Sequence, residues 1–186
     1  DMVNKSVEAF IKKDLLVTEE VSHNDDVVDA LFEEIVNDLV DIIKKDEGTS
    51  EVLDMLMVAK YFERIGDHAV NIMDDALKEK NQKIEFSKEG RDEMLTMYEK
   101  VMEIYEKAVE IFVNEDKSKF DEVDRLEDVI DQMKIDCQEG HVKRMAAGKC
   151  SIESGLVFTD LVIGYERIAD HAVNIAFSIL SEKKIN

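Results

Sequence analysis

The chain has 186 residues, of which 45% are apolar, with no proline and seven glycines; that is enough apolar material for a packed core and few of the residues that interrupt helices. Its 44 acids against 24 bases give a net charge of −20, a surface that repels a phosphate backbone and excludes nucleic acid as a partner while favouring cations or a basic protein surface. No apolar run approaches the ~20 residues that cross a bilayer and no signal-peptide pattern is present, so a cytoplasmic protein without direct membrane insertion is expected.

In chain order, the apolar rhythm of about 3.6 residues predicts helices over roughly 1–13, 15–46, 50–80, 87–115, 117–147 and 151–182. The pattern is already amphipathic at Asp1, so the first helix is expected to be truncated and to have continued upstream. On the third helix Leu53, Leu56, Met57, Phe62, Ile65, Ala69, Ile72 and Ala76 are expected to share one buried stripe. Gly48 before Thr49-Ser50, and Gly148 before Ser151, read as a glycine stop followed by a hydroxyl cap at two corresponding points. Ser87 reads as the cap of the fourth helix. Cys137 and Cys150, on a helix and in a loop, lack metal-ligand spacing and are expected to be reduced thiols.

An internal repeat organises these elements. Glu63 through Ile72, ERIGDHAVNI, recurs as Glu166 through Ile175, ERIADHAVNI, with Gly66 replaced by Ala169 as the single difference. Nearly the same offset carries Phe10 through Asp14 onto Phe112 through Asp116, and Asp25 and Asp29 onto Glu127 and Asp131. The duplication spans essentially the whole chain and predicts an all-α fold of two tandem three-helix bundles, residues 1–84 and 85–186, in which the first and last helices of each half run nearly antiparallel.

Acids four residues apart lie one turn apart on the same side of a helix and can reach one hard cation together. Four such pairs fall at repeat-related places: Asp25 with Asp29 and Glu63 with Asp67 in the first half, Glu127 with Asp131 and Glu166 with Asp170 in the second. With 44 acids, about ten such pairs arise by chance, so any one alone means little. Four that stay in register between two otherwise diverged halves point to a shared electrostatic role, metal binding foremost. The competing reading is solvated helix faces held in modest ion pairs with Arg64 and Arg167.

Asn71 and Asn174 continue the same faces, as outer supports of a cation or as partners of backbone groups between helices. His68 and His171 follow the aspartates directly and are rotated about 100° from them, which favours packing or an outer supporting role over chelation. The small side at Gly66 and Ala169 is expected where another helix approaches closely.

The two ERI-small-DHAVNI segments, with Tyr61-Phe62 before the first and Tyr165 before the second, resemble the signature of the PhoU family of phosphate-uptake regulators. The resemblance covers nearly all of the chain and implies the same double three-helix plan. It also implies multinuclear iron or zinc clusters on Asp25, Asp29, Glu63, Asp67, Glu127, Asp131, Glu166 and Asp170. Its functional implication is a non-enzymatic adaptor that represses phosphate uptake by coupling the phosphate ABC transporter ATPase to its sensor histidine kinase. A homodimer is left open. Arg144 through Ser151 looks more like the PhoU-like cytoplasmic tail of sodium–phosphate cotransporters, which is the alternative reading. A carboxylate-bridged di-metal enzyme would instead need an inward Glu-x-x-His pair, which these sites lack.

Overall fold

The computed structural model describes residues 1–12, 15–45 and 49–181. Six α-helices carry the chain: α1 (Met2–Lys12), α2 (Thr18–Lys44), α3 (Thr49–Gln82), α4 (Lys88–Asn114), α5 (Phe120–Ala146) and α6 (Ile152–Phe177). Short 3-10 turns lead into α2 and α5 and extend α6. Among the described residues there is no strand, and no helix is long and apolar enough to cross a membrane.

Local chemistry sets the boundaries. The Ser87 hydroxyl accepts from the Gly90 N–H at 3.0 Å at the start of α4, and Ser151 accepts from the Ser154 N–H at 3.1 Å at the start of α6, each satisfying one of the donors a helix start leaves free. Gly148 adopts φ +67°, and the Lys149 N–H reaches back to the Arg144 carbonyl at 2.9 Å, a left-handed glycine closure of the kind expected there. The corresponding turn at residues 46–48, with the expected stop at Gly48, lies outside the described residues. Glu115 makes the stop of α4 in the left-handed region without glycine, at φ 53°, and Asp116 then accepts from the Ser118 N–H at 3.1 Å.

In the first bundle α3 packs on α1 and α2; in the second, α6 packs on α4 and α5; α3 and α6 meet along the seam between them. The apolar interior is continuous across that seam, running from Val7 and Phe10 through Ala69 and Ile72 to Phe158, Leu161 and Tyr165. Direction follows from side-chain neighbours. Phe10 meets Phe86 beyond the end of α3 while Met2 lies by Gly66, and Tyr98 meets Tyr165 while Gly90 lies by Phe158. The first and last helices of each bundle therefore run parallel, not antiparallel as expected, because two short connections each reverse the chain and together restore its direction.

The expected stripe on α3 also needs correction. Ile65, Ala69, Ile72 and Ala76 are buried, but Leu53 and Met57 are 55% and 46% exposed. The buried stripe enters α3 through Val52, Val58 and Ala59 instead, one step around the helix from Leu53 and Met57. In the second bundle Met94 and Met97 of the longer α4 join Phe158 and Leu161 of α6 in one fully buried layer.

Candidate metal centres

The antiparallel contact of α2 with α3 faces Asp25 and Asp29 toward Glu63 and Asp67. Asp25 is the focus: its carboxyl is held above the ordinary range, first by burial and then by repulsion from Asp29, Asp67, Asp26 and Glu63. One of its oxygens, Oδ1, is buried without a hydrogen-bond partner. That oxygen and Val28 lie directly over Gly66, 3.4 and 3.6 Å from where a Cβ would stand, so the small residue marks the close approach of α2, as expected. Positive charge meets the acids from α3 itself. Arg64 Nη1 donates to Asp67 Oδ2 at 3.0 Å, and Lys60 Nζ is 2.7 Å from Glu63 Oε2, an ion pair off the line of a good hydrogen bond.

The second cluster repeats the arrangement on α5 and α6. Asp131, Glu166 and Asp170 each offer one oxygen within 4.8 Å of the others. Glu127 completes the set, its carboxyl raised by burial and then by Asp170, Asp131, Asp124 and Asp128. Asp170 is raised as well, by burial and then Glu166, with Arg167 opposing. Glu166 is 8% exposed; its Oε1 accepts from Lys134 Nζ at 2.6 Å, whereas its buried Oε2 has no hydrogen-bond partner, Arg167 Nε standing 3.8 Å away. Arg167 Nη1 is likewise 3.8 Å from Asp170 Oδ2.

Each half thus brings its four sequence-predicted acids onto one surface. A buried carboxylate oxygen left without a partner costs free energy, and a cation would remove that cost. The donor set is all carboxylate, which suits hard or borderline divalent ions. Bonds of ~2.1 Å would draw the three oxygens closer than 4.8 Å, a rotamer adjustment for partly exposed side chains. In the second half the residues present fit an iron or zinc ion; in the first, Asp25, Asp29, Glu63 and Asp67 act on one another electrostatically but are not drawn to the same mutual distance.

The remaining candidates divide. Asn174 Nδ2 donates to the Asp170 carbonyl at 2.8 Å on its own helix, and Asn71 lines a groove of ≈ 290 Å³ at the seam with His68, Asp75, Lys78 and Asp160. His68 and His171 stack on one another, ring centroids 5.5 Å apart, and Tyr61 stacks on His171 at 5.8 Å. Burial is the chief reason both imidazoles are held below the usual histidine range. The repeated histidines therefore join the two bundles. His141, without a repeat partner, is buried against Phe158 with ring centroids 4.8 Å apart. Cys137 is buried and Cys150 partly so, both as free thiols. Lys60 and Lys134, the lysines at Glu63 and Glu166, escaped the sequence reading because they stand at positions that do not correspond between the halves.

Comparison with known proteins agrees with this architecture. The PhoU domain profile matches residues 1–76 and 94–179. The chain is 27% identical over 184 residues to the phosphate-specific transport system accessory protein PhoU homolog 1 of Thermotoga maritima, covering 97% of this chain and 78% of that protein. It is 34% identical over 77 residues to the PhoU homolog of Clostridium acetobutylicum, 41% of this chain and 35% of that one. Its fold superposes on the crystal structure of PhoU from Pseudomonas aeruginosa with a TM-score of 0.87 at 23% identity, covering 96% of this chain and 87% of that one. For the phosphate transport system regulatory protein PhoU from Streptococcus pneumoniae the TM-score is 0.82 at 19% identity, covering 96% and 84%. With both repeats matched by one profile and both acid-bearing helix pairs in place, the chain belongs to the PhoU family.

Proposed function

We infer that this chain is an accessory protein of phosphate transport that acts without catalysis, as an adaptor between a phosphate ABC transporter ATPase and a sensor histidine kinase, so that uptake genes stay silent when phosphate is plentiful. The observation that carries the reading is the match of the family profile to both halves, together with a relative named as a transport-system accessory protein over 97% of the chain. An adaptor acts by making contacts that differ in energy between two states of its partners.

The eight carboxylates Asp25, Asp29, Glu63, Asp67, Glu127, Asp131, Glu166 and Asp170 would hold iron or zinc. The metal would supply positive charge that cancels the mutual repulsion of each cluster and locks α2 to α3 and α5 to α6. A surface of charge −20 would hold phosphate only through such a cation.

Affinity capture of the full-length protein from its own cells, in high and low phosphate, tests the adaptor role. Recovery of a phosphate-transporter ATPase or a sensor kinase is expected. Recovery of neither, with the protein running as one long polypeptide in the membrane fraction, would replace this reading by that of a cotransporter tail.

A further inference from the structure

The two clusters share their acids but not their ammonium group. Across the repeat, Asp25 and Asp29 correspond to Glu127 and Asp131, which places Phe32 of α2 opposite Lys134 of α5; Glu63 corresponds to Glu166, which places Lys60 of α3 opposite Ile163 of α6. In the first half the lysine is on the third helix, its Nζ 4.9 Å from the centroid of the Phe32 ring and 2.7 Å from Glu63 Oε2. In the second half the lysine is on α5 and reaches across to Glu166 Oε1 at 2.6 Å. A lysine and an apolar residue have traded helices, and an ammonium meets the inner glutamate in both halves. The exchange conserves a charge at one point in space and not a residue at one position in the chain.

Resting on the metal reading above, we propose that Lys60 and Lys134 are built-in cations that compete with metal for Glu63 and Glu166, and that they set the affinity of each cluster. A carboxylate paired with an ammonium must release it before that oxygen can ligate a metal. The competition is unequal. Lys60 belongs to the same helix as its glutamate, three residues away, and rests on an aromatic ring, so it has a second place to stay when displaced. Lys134 ties α5 to α6 at a glutamate whose other oxygen is orphaned, so metal entry there exchanges one interhelix link for another. The larger effect of lysine removal is expected in the second cluster.

The test is zinc binding by calorimetry on the full chain, with Asp67→Asn in the background to disable the first cluster, comparing Lys134 with Lys134→Met and Lys134→Arg. Removal of one unit charge at contact distance is expected to tighten zinc about tenfold in Lys134→Met, while Lys134→Arg, which keeps the charge, stays near the parent. Zinc binding by Lys134→Met alone, with none by the parent, also supports the competition. Binding by the parent that is equal or weaker in Lys134→Met overturns the competition and leaves the metal reading standing. Absence of zinc from parent and variant alike removes both. Should Lys134→Met fail to fold, Lys60→Met in an Asp170→Asn background reads the same competition in the other bundle, with a smaller tightening expected.

Discussion

The two bundles repeat one plan at different depths of burial. In the second, Phe158, Leu161 and Val162 in the first half of α6 are fully buried, as is Ile175 near its end, while Ile152 and Leu156 are exposed. In the first, Val52, Val58 and Ala59 of α3 are buried while Leu53, Met55 and Met57 are exposed, and Met55 stands at the repeat position of the fully buried Phe158. Both bundles nevertheless present the same acidic surface, because the acids sit at the middle of each helix pair, where the two bundles are built alike. Burial can diverge at the ends of a repeat without moving the centre.

The largest expected effect separates those ends. Phe158→Ala should cost about 3–5 kcal/mol of stability in denaturant unfolding, the range for emptying a fully buried aromatic site, and Leu53→Ala should stay under about 1 kcal/mol. Equal costs would mean that Leu53 is as deeply covered as Phe158.

Glycines sharpen the contrast at the next level. A Cβ at Gly155 would stand 2.7 Å from His141 Nε2 and 3.0 Å from Met145 Sδ, and the imidazole cannot retreat because it is stacked on Phe158. Gly155→Ala should therefore destabilise by about 1–3 kcal/mol. Gly66→Ala meets only ordinary contacts, the repeat already carries Ala169 at that place, and the substitution should raise stability by up to about 1 kcal/mol through helix propensity. Thermal unfolding of the two variants distinguishes them by sign.

The smallest expected effect concerns protons. The carboxyls of Asp25, Glu127 and Asp170 are held above their ordinary range by burial and by neighbouring acids. Each therefore binds a proton more tightly folded than unfolded. At neutral pH its ionisation opposes folding, and that opposition is relieved as pH falls through the raised range. In the metal-free chain these three carboxyls add stability on mild acidification, against His68, His141 and His171, whose lowered range subtracts stability over the same fall in pH, and Asp170→Asn should raise the melting temperature. With zinc present both signs should reverse, since protonation and amidation each remove a ligand. A melting temperature of Asp170→Asn that moves in the same direction with and without zinc would break the comparison.

Most of the architecture was legible in the sequence because the helix signals are local: the hydroxyl caps at Ser87 and Ser151 and the stop at Gly148 stand where expected. The acid clusters were legible for a different reason, since the duplicated chain supplies its own control and shows which acids stay in register. What was hidden is what depends on distance along the chain. The parallel course of the first and last helices follows from counting reversals, not from any residue. The exposure of Leu53 and Met57 follows from the phase of the buried stripe, which passes through Val52, Val58 and Ala59 instead. Lys60 and Lys134 were missed because their helices differ between the halves, so only their common approach to a glutamate reveals them.

The central claim is that the register-locked carboxylates are metal ligands and not merely solvated faces. It is tested most directly by elemental analysis of bound iron and zinc in the purified parent and in the Asp67→Asn, Asp170→Asn double variant, with helical content followed by circular dichroism. The account predicts that the double variant keeps its helices and loses most of its metal. Metal occupancy equal to that of the parent would contradict the ligand set.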